Sequence, residues 1–115
     1  MSLVIPTEEV EQRLVVEYCR LKNYDFWHTP NETYTKSWNQ KRKNKEMGVV
    51  KGIPDLFIII NNKLIAIEMK RTKGSVTSKE QTAWIEKLNL ANISAKVCKG
   101  AEEAIEFINN TKETI

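Results

Sequence analysis

The sequence predicts an α/β domain with elements in the order α-β-β-β-α-β-α, and three features of the chain carry that prediction. Val10, Leu14, Val15, Tyr18 and Leu21 recur at the spacing of one helix face. Two short β-branched runs, Leu56 to Ile60 and Leu64 to Ile67, lie on either side of Asn61-Asn62, as buried strands joined by a tight turn do. A second helix-spaced stretch, an alternating run and a third helix-spaced stretch close the chain.

Taken in order, Pro6-Thr7 followed by Glu8 and Glu9 has the composition of a helix start, and the helical spacing lasts to about Lys22. Tyr24 to Thr29 reads as a strand. Between Lys36 and Lys51 stand Lys36, Lys41, Arg42, Lys43, Lys45 and Lys51 against a single acid, Glu46, with Trp38 among them. That stretch has no apolar period and is expected to be a mobile basic arm. Asn tolerates the positive φ of hairpin turns, so Asn61-Asn62 predicts an antiparallel hairpin. Thr77 or Ser78 can cap a helix with Gln81, Trp84, Ile85 and Leu88 on one side, Trp84 as a core residue. Ile93 to Cys98 alternates as a strand. Gly100 then introduces a last helix with Ala101, Ala104, Ile105 and Ile108 inward and Glu102, Glu103 and Glu106 in water, fraying from Asn109 to Ile115.

With 115 residues, 41% apolar and 29% charged, the chain is long enough for one core and too short for two, so residues 1–115 are expected to form a single domain. No stretch approaches the roughly twenty apolar residues that cross a bilayer, and Met1 to Glu9 lacks a signal-peptide pattern. A cytoplasmic protein without a membrane partner is expected. Two cysteines, Cys19 and Cys98, and one histidine, His28, exclude a disulfide framework and a Cys/His zinc cluster. The cysteines read as small core residues and His28 as structural. Net charge is only +3, so the distribution of charge matters more than its sum.

The chemistry is concentrated around the predicted hairpin. Turning at Asn61-Asn62, it would carry Asp55, at the start of its first strand, toward Glu68 and Lys70, at the end of its second. Strand alternation points Glu68 and Lys70 the same way while Ile65, Ile67 and Met69 enter a core. Carboxylate oxygens are hard ligands suited to Mg²⁺, which takes one or two carboxylates together with substrate phosphate oxygens. A neighbouring lysine can orient or help deprotonate the attacking water and offset phosphate charge. Taken singly, Pro-Asp is an ordinary turn and Glu-x-Lys an ordinary solvated strand face with a weak ion pair. Their order and their separation by two apolar strands make the combination more specific than either.

Gly52-Ile53-Pro54-Asp55-Leu56, Glu68-Met69-Lys70 and Thr77-Ser78-Lys79-Glu80-Gln81 with Trp84 resemble, in that order, three motifs of the virus-type replication-repair nuclease (VRR-NUC) domains of the PD-(D/E)XK nuclease superfamily. The resemblance spans nearly the whole chain. It implies a restriction-endonuclease-like core, a mixed β-sheet flanked by helices. It implies that Asp55 and Glu68 ligate a divalent cation, Mg²⁺ or Mn²⁺, that the Met69 carbonyl joins them, that Lys70 serves the attacking water and that Gln81 supports the site from its helix. An acid of the first helix is a further contributor in this family. Glu8, Glu9 and Glu11 crowd there, and Glu11, on one helical face with Leu14, Val15 and Tyr18, is the expected one, with Glu8 next.

The function so implied is a metal-dependent, structure-specific endodeoxyribonuclease that hydrolyses phosphodiester bonds at Holliday junctions or other branched DNA. Small stand-alone relatives further imply a homodimer and a phage or prophage origin, with action in the cytoplasm of a bacterial or phage-infected cell. Phosphates are expected on Lys36, Lys41, Arg42, Lys43, Lys45, Lys51, Arg71 and Lys73, with Trp38 stacking on an unpaired base. No base-reading module is present in the sequence, which favours shape over sequence recognition. The competing functions are a noncatalytic nucleic-acid-binding module and a sequence-specific restriction-type nuclease.

Overall fold

The computed structural model describes residues 4–30 and 37–113. Eight elements follow one another: α1 (Glu8–Leu21), β1 (Asp25–His28), α2 (Trp38–Glu46), β2 (Leu56–Ile60), β3 (Lys63–Lys70), α3 (Lys79–Leu90), β4 (Ser94–Lys99) and α4 (Ala101–Glu113). The strands form one mixed sheet in the order β1-β2-β3-β4. β1 and β3 run antiparallel to β2, and β4 runs parallel to β3.

The hairpin forms where the paired asparagines require it. Asn61 and Asn62 have φ of 52° and 66°, and Ile60 pairs with Lys63 across the two-residue turn, whose positive φ values match the twist of the strands. β2 and β3 are packed on both faces, with Ile59 of β2 left exposed. One face sends Leu56, Ile58, Ile60, Ile65, Ile67 and Met69 against Val15 and Cys19 of α1 and Ala104 and Ile108 of α4. The other gathers Phe57, Ala66 and Ala95 beneath Ile85 and Leu88 of α3. Both cysteines are buried and free.

Two expectations are corrected. The basic segment is not a mobile arm throughout: Trp38–Glu46 is a helix that buries none of its residues, so the observed order is α-β-α-β-β-α-β-α. Hydrophobic periodicity could not reveal a helix without an apolar face. Its signals are local. The Ser37 hydroxyl accepts a hydrogen bond from the Gln40 N–H at 3.2 Å, and the helix ends in a Schellman turn, with the Gly48 N–H donating to the Lys45 carbonyl and the Val49 N–H to the Asn44 carbonyl. The other correction is at α4, which continues to Glu113 instead of fraying from Asn109. The Tyr18 hydroxyl donates to Asn109 Oδ1 at 2.6 Å and ties that end to α1.

No helix among the described residues is long and apolar enough to cross a membrane.

Candidate metal centre

β2 and β3 leave the hairpin turn together, so the residue before β2 and the last residues of β3 meet at the far end of the sheet. There the Met69 N–H donates to Asp55 Oδ2 at 2.8 Å. The Asp55 carbonyl is held as well, by the Thr29 N–H at 2.8 Å and by His28 Nδ1 at 2.9 Å. Backbone groups of two strands thereby fix the Asp55 side chain and main chain. The Lys70 carbonyl accepts from the Gly100 N–H at 2.8 Å, which anchors the end of β3 where β4 turns into α4.

Among the described residues one group of acids is close enough to share an ion: Glu8, Asp55 and Glu68, with one carboxylate oxygen of each lying within 4.8 Å of the others. Asp55 and Glu68 are each 1% exposed and Lys70 is 9% exposed. Both oxygens of Glu68 are buried without a hydrogen-bond partner among the described residues. A carboxylate in that position is costly. Burial, foremost, and then the adjacent Asp55 push the Glu68 carboxyl up to about 9, with Glu8 adding to the rise and the Lys70 ammonium opposing it. Protonated Glu68 can donate to Asp55; ionised, the two carboxylates have no proton to share, and Glu68 is left bare. Glu8 is raised for the same reasons, burial before Asp55, again against Lys70. A divalent cation reverses the sign of this repulsion. The cluster therefore fits a hard cation on two counts: clustered oxygen donors and buried oxygens that no protein donor satisfies.

The acid that α1 contributes to this group is Glu8. Glu11 is the one expected from the helical face, and its carboxylate lies elsewhere: a Cβ on Gly100 would stand 2.5 Å from Glu11 Oε2 and 2.8 Å from Thr72 Cγ2. Facing the same way as Val15 and Tyr18 is what turns Glu11 inward, toward the start of α4, where the helix N-terminus favours a carboxylate. Glu8, in the first turn of α1, reaches past the end of the sheet. Glu9 is engaged with Arg13 at the surface, 2.7 Å apart.

Gln81 is half-buried and serves a capping box, its amide oxygen accepting from the Ser78 N–H at 2.9 Å and its own N–H donating to Ser78 Oγ at 3.1 Å. It reaches the site through the backbone. Gly52 has φ +87°, and a Cβ there would stand 2.6 Å from the Glu80 carbonyl carbon and 2.8 Å from the Gln81 nitrogen. The Gly52–Asp55 loop is thus seated on the start of α3, and glycine alone fits that contact.

The remaining expected residues lie on the surface. Trp38 is 82% exposed with Lys41 Nζ 5.4 Å from its ring. Arg42 donates to Asn39 Oδ1 at 2.9 Å, while Lys43, Lys45 and Lys51 are exposed. Arg71 Nε donates to the Lys73 carbonyl at 3.2 Å, which rounds the loop after β3. Lys36 lies outside the described residues.

Sequence reasoning passed over His28, which lines a groove of about 640 Å³ together with Glu8, Gln12, Arg13, Glu17 and Asp55. Its signal was pairing: Thr29 N–H meets the Asp55 carbonyl, and His28 is the residue just before it. Gln12 stands four residues after Glu8, on the same helix face.

The VRR-NUC domain family model matches residues 6–102. A solved structure of a "VRR_NUC domain protein" superposes with a TM-score of 0.74 at 28% sequence identity, over 92% of this chain and 88% of that chain. No curated protein matches. The matched span begins just before Glu8 and ends within the first turn of α4, so it takes in all three clustered acids, Lys70 and the capped start of α3, and the chain belongs to the VRR-NUC family of nuclease-type domains.

Proposed function

We propose that this protein is a Mg²⁺- or Mn²⁺-dependent endodeoxyribonuclease that cuts branched DNA, four-way junctions foremost. The observation that carries the reading is the bare, buried Glu68 carboxylate beside Asp55 and Glu8. Such a cluster is unfavourable in its ionised form unless a cation completes it. Asp55, Glu68 and Glu8 hold the cation, and the Met69 carbonyl is the backbone ligand beside them. When bound, the cation supplies Lewis-acid polarisation of the phosphodiester and lowers the cost of generating hydroxide from water.

The chain's own residues do the rest. Lys70, whose ammonium acts electrostatically on both Glu68 and Glu8, orients the attacking water and stabilises charge that develops on the phosphate. Water gives up a proton to solvent as its oxygen forms a bond to phosphorus, one ester P–O bond breaks, and the departing alkoxide takes up a proton from solvent. Met69 N–H and Thr29 N–H keep Asp55 in place throughout. Gln81 supports the site from the start of α3. α2, Lys51, Arg71 and Lys73 hold phosphates around the cut, with Lys36 added from the segment before α2.

Trp38 is free to stack on an unpaired base. Unpaired bases occur in flaps, forks and opened junctions and not in intact linear duplex, which favours shape-selective cutting. Symmetric cutting of a four-way junction further requires two related active sites and hence a homodimer. On the α3 face of the sheet, at its β1 end, Trp27, stacked on Phe57, and Ile59 are 47% and 43% exposed, an apolar surface of the kind a second copy covers.

The test is cleavage of matched labelled four-way junction, flap, single-stranded and linear duplex DNA with Mg²⁺ or Mn²⁺, against EDTA and Lys70→Ala controls. Metal-dependent, paired nicks in the junction that vanish in the variant are expected. Binding without cutting under every metal condition would make the domain a noncatalytic DNA-binding module, and cuts at one fixed sequence in random duplex would make it a restriction-type nuclease.

A further inference from the structure

Glu8 and Asp55 come from different parts of the fold, a helix and a loop, and the cation-holding reading proposed above requires that their separation be fixed. Backbone bonds fix Asp55 to β1 and β3, but none of them reaches α1. The connection to α1 is made by His28. Its Nδ1 lies 2.9 Å from the Asp55 carbonyl and 3.0 Å from Gln12 Nε2. Gln12 is four residues from Glu8, one turn along the same face of α1.

The hydrogen-bond chemistry sets the ring's orientation. A carbonyl oxygen can only accept, so Nδ1 carries the proton and donates to Asp55. As placed, Gln12 Nε2 faces the same N–H; the two ends of a carboxamide exchange by a half-turn, and with the oxygen assigned to the ring side Gln12 accepts from Nδ1–H as well. Nε2 is then the ring nitrogen left for the groove that His28 lines with Glu8 and Asp55. Nε2 is not among the ligand atoms that cluster with the three acids.

We propose that His28 is a positioning residue of the metal centre: its Nδ1–H bridges the Asp55 carbonyl to Gln12 and so sets the distance between the Glu8 and Asp55 carboxylates. The inference rests on the reading of the carboxylate cluster as a cation site. Groups that orient metal ligands without touching the ion characteristically change metal affinity or activity about 10- to 100-fold when removed, and His28 with Gln12 falls in that class.

Asparagine and glutamine separate the two ring nitrogens, since the Asn amide N–H can stand where Nδ1–H stands and the Gln amide N–H where Nε2 stands. Mn²⁺ binding to the full chain is measured by calorimetry, and thermal melting in EDTA reports folding. His28→Ala and His28→Gln are expected to weaken Mn²⁺ binding about tenfold or more, His28→Asn to restore it to within about threefold, and Gln12→Leu to weaken it in the same direction as His28→Ala. Gln12→Leu carries the test if His28→Ala does not fold.

Unchanged Mn²⁺ affinity in folded His28→Ala and Gln12→Leu, with wild type binding normally, overturns the role of His28 and leaves the cation site standing. Rescue by His28→Gln in place of His28→Asn overturns it too, because the acting nitrogen would be Nε2. Absence of Mn²⁺ binding by wild type removes the cation site itself and this inference with it.

Discussion

The carboxylate centre and α2 both concentrate charge, and the fold treats them in opposite ways. Asp55 and Glu68 are 1% exposed and Lys70 9%, each on or beside a strand whose backbone is bonded on both sides. α2 buries nothing and is held by its own caps. The first arrangement is expensive: burial, foremost, and the adjacent Asp55 raise the Glu68 carboxyl far from its usual range. The second costs little, because its cations remain in water. Under the proposed function the difference follows from what each must do. A reacting phosphate has to meet groups fixed to a fraction of an ångström in a site of low dielectric, whereas phosphates along a DNA backbone are attracted by positive charge that only has to reach them.

If that division is right, each region can be disabled without the other. The largest effect belongs to the buried side. Asp55→Ala should lower kcat by about three orders of magnitude or more, the range lost when a principal electrostatic group is removed, while the Kd for junction DNA in Ca²⁺ or EDTA changes by less than about threefold. Gel-shift titration beside single-turnover cleavage measures both. A large loss of binding would mean that the centre seats DNA as well as cutting it.

The exposed side should show the converse. Neutralising Lys41, Arg42 and Lys43 to Ala should weaken DNA binding and reduce the slope of log K against log salt by about 2 to 3, or about 0.9 for each phosphate the protein no longer neutralises, with kcat at saturating DNA unchanged. Salt titrations of wild type and variant decide it. A fall in kcat at saturation would place α2 in the cutting step.

The same contrast decides what was legible in the sequence. The convergence of Asp55, Glu68 and Lys70 was legible because strand alternation and a two-residue turn dictate where their side chains go, and Asn61-Asn62 adopts the φ the turn needs. The family resemblance added the order of motifs to that geometry. The charge of α2 was legible but its helix was not, since nothing in Trp38–Glu46 repeats with an apolar period. Its signals were Ser37 and Gly48 at the two ends, which only a search for caps would reveal. On α1 the error ran the other way: Glu11 shares the face of Val15 and Tyr18, which points to it as the site acid, yet that face is the one turned to α4 and the core. Which acid reaches a site at the edge of a sheet depends on where the helix starts relative to that edge. His28 gave no motif at all, because its contact is with the main chain of Asp55, and main-chain contacts leave little trace in residue type.

The smallest predicted effect tests the cost of the buried side directly. Burial and the adjacent Asp55 push the Glu68 carboxyl in the folded protein up to about 9 from 4.5, so between these values the folded state binds a proton that the unfolded state has released. Stability of the cation-free protein contributed by that proton is therefore fully present below pH 4.5 and is lost as pH rises toward 9. Thermal melting in EDTA should show the wild-type Tm falling across this window, and Glu68→Gln, which cannot ionise, should fall less steeply and melt about 4 °C or more above wild type at about pH 9. At about pH 7 the same proton has to leave before a cation can bind, so Mn²⁺ calorimetry in buffers of different ionisation enthalpy should report close to one proton released per ion, declining as pH passes about 9. Parallel pH profiles for wild type and Glu68→Gln, with no proton released on binding, would mean that Glu68 is already ionised without the cation and that Lys70 outweighs its burial.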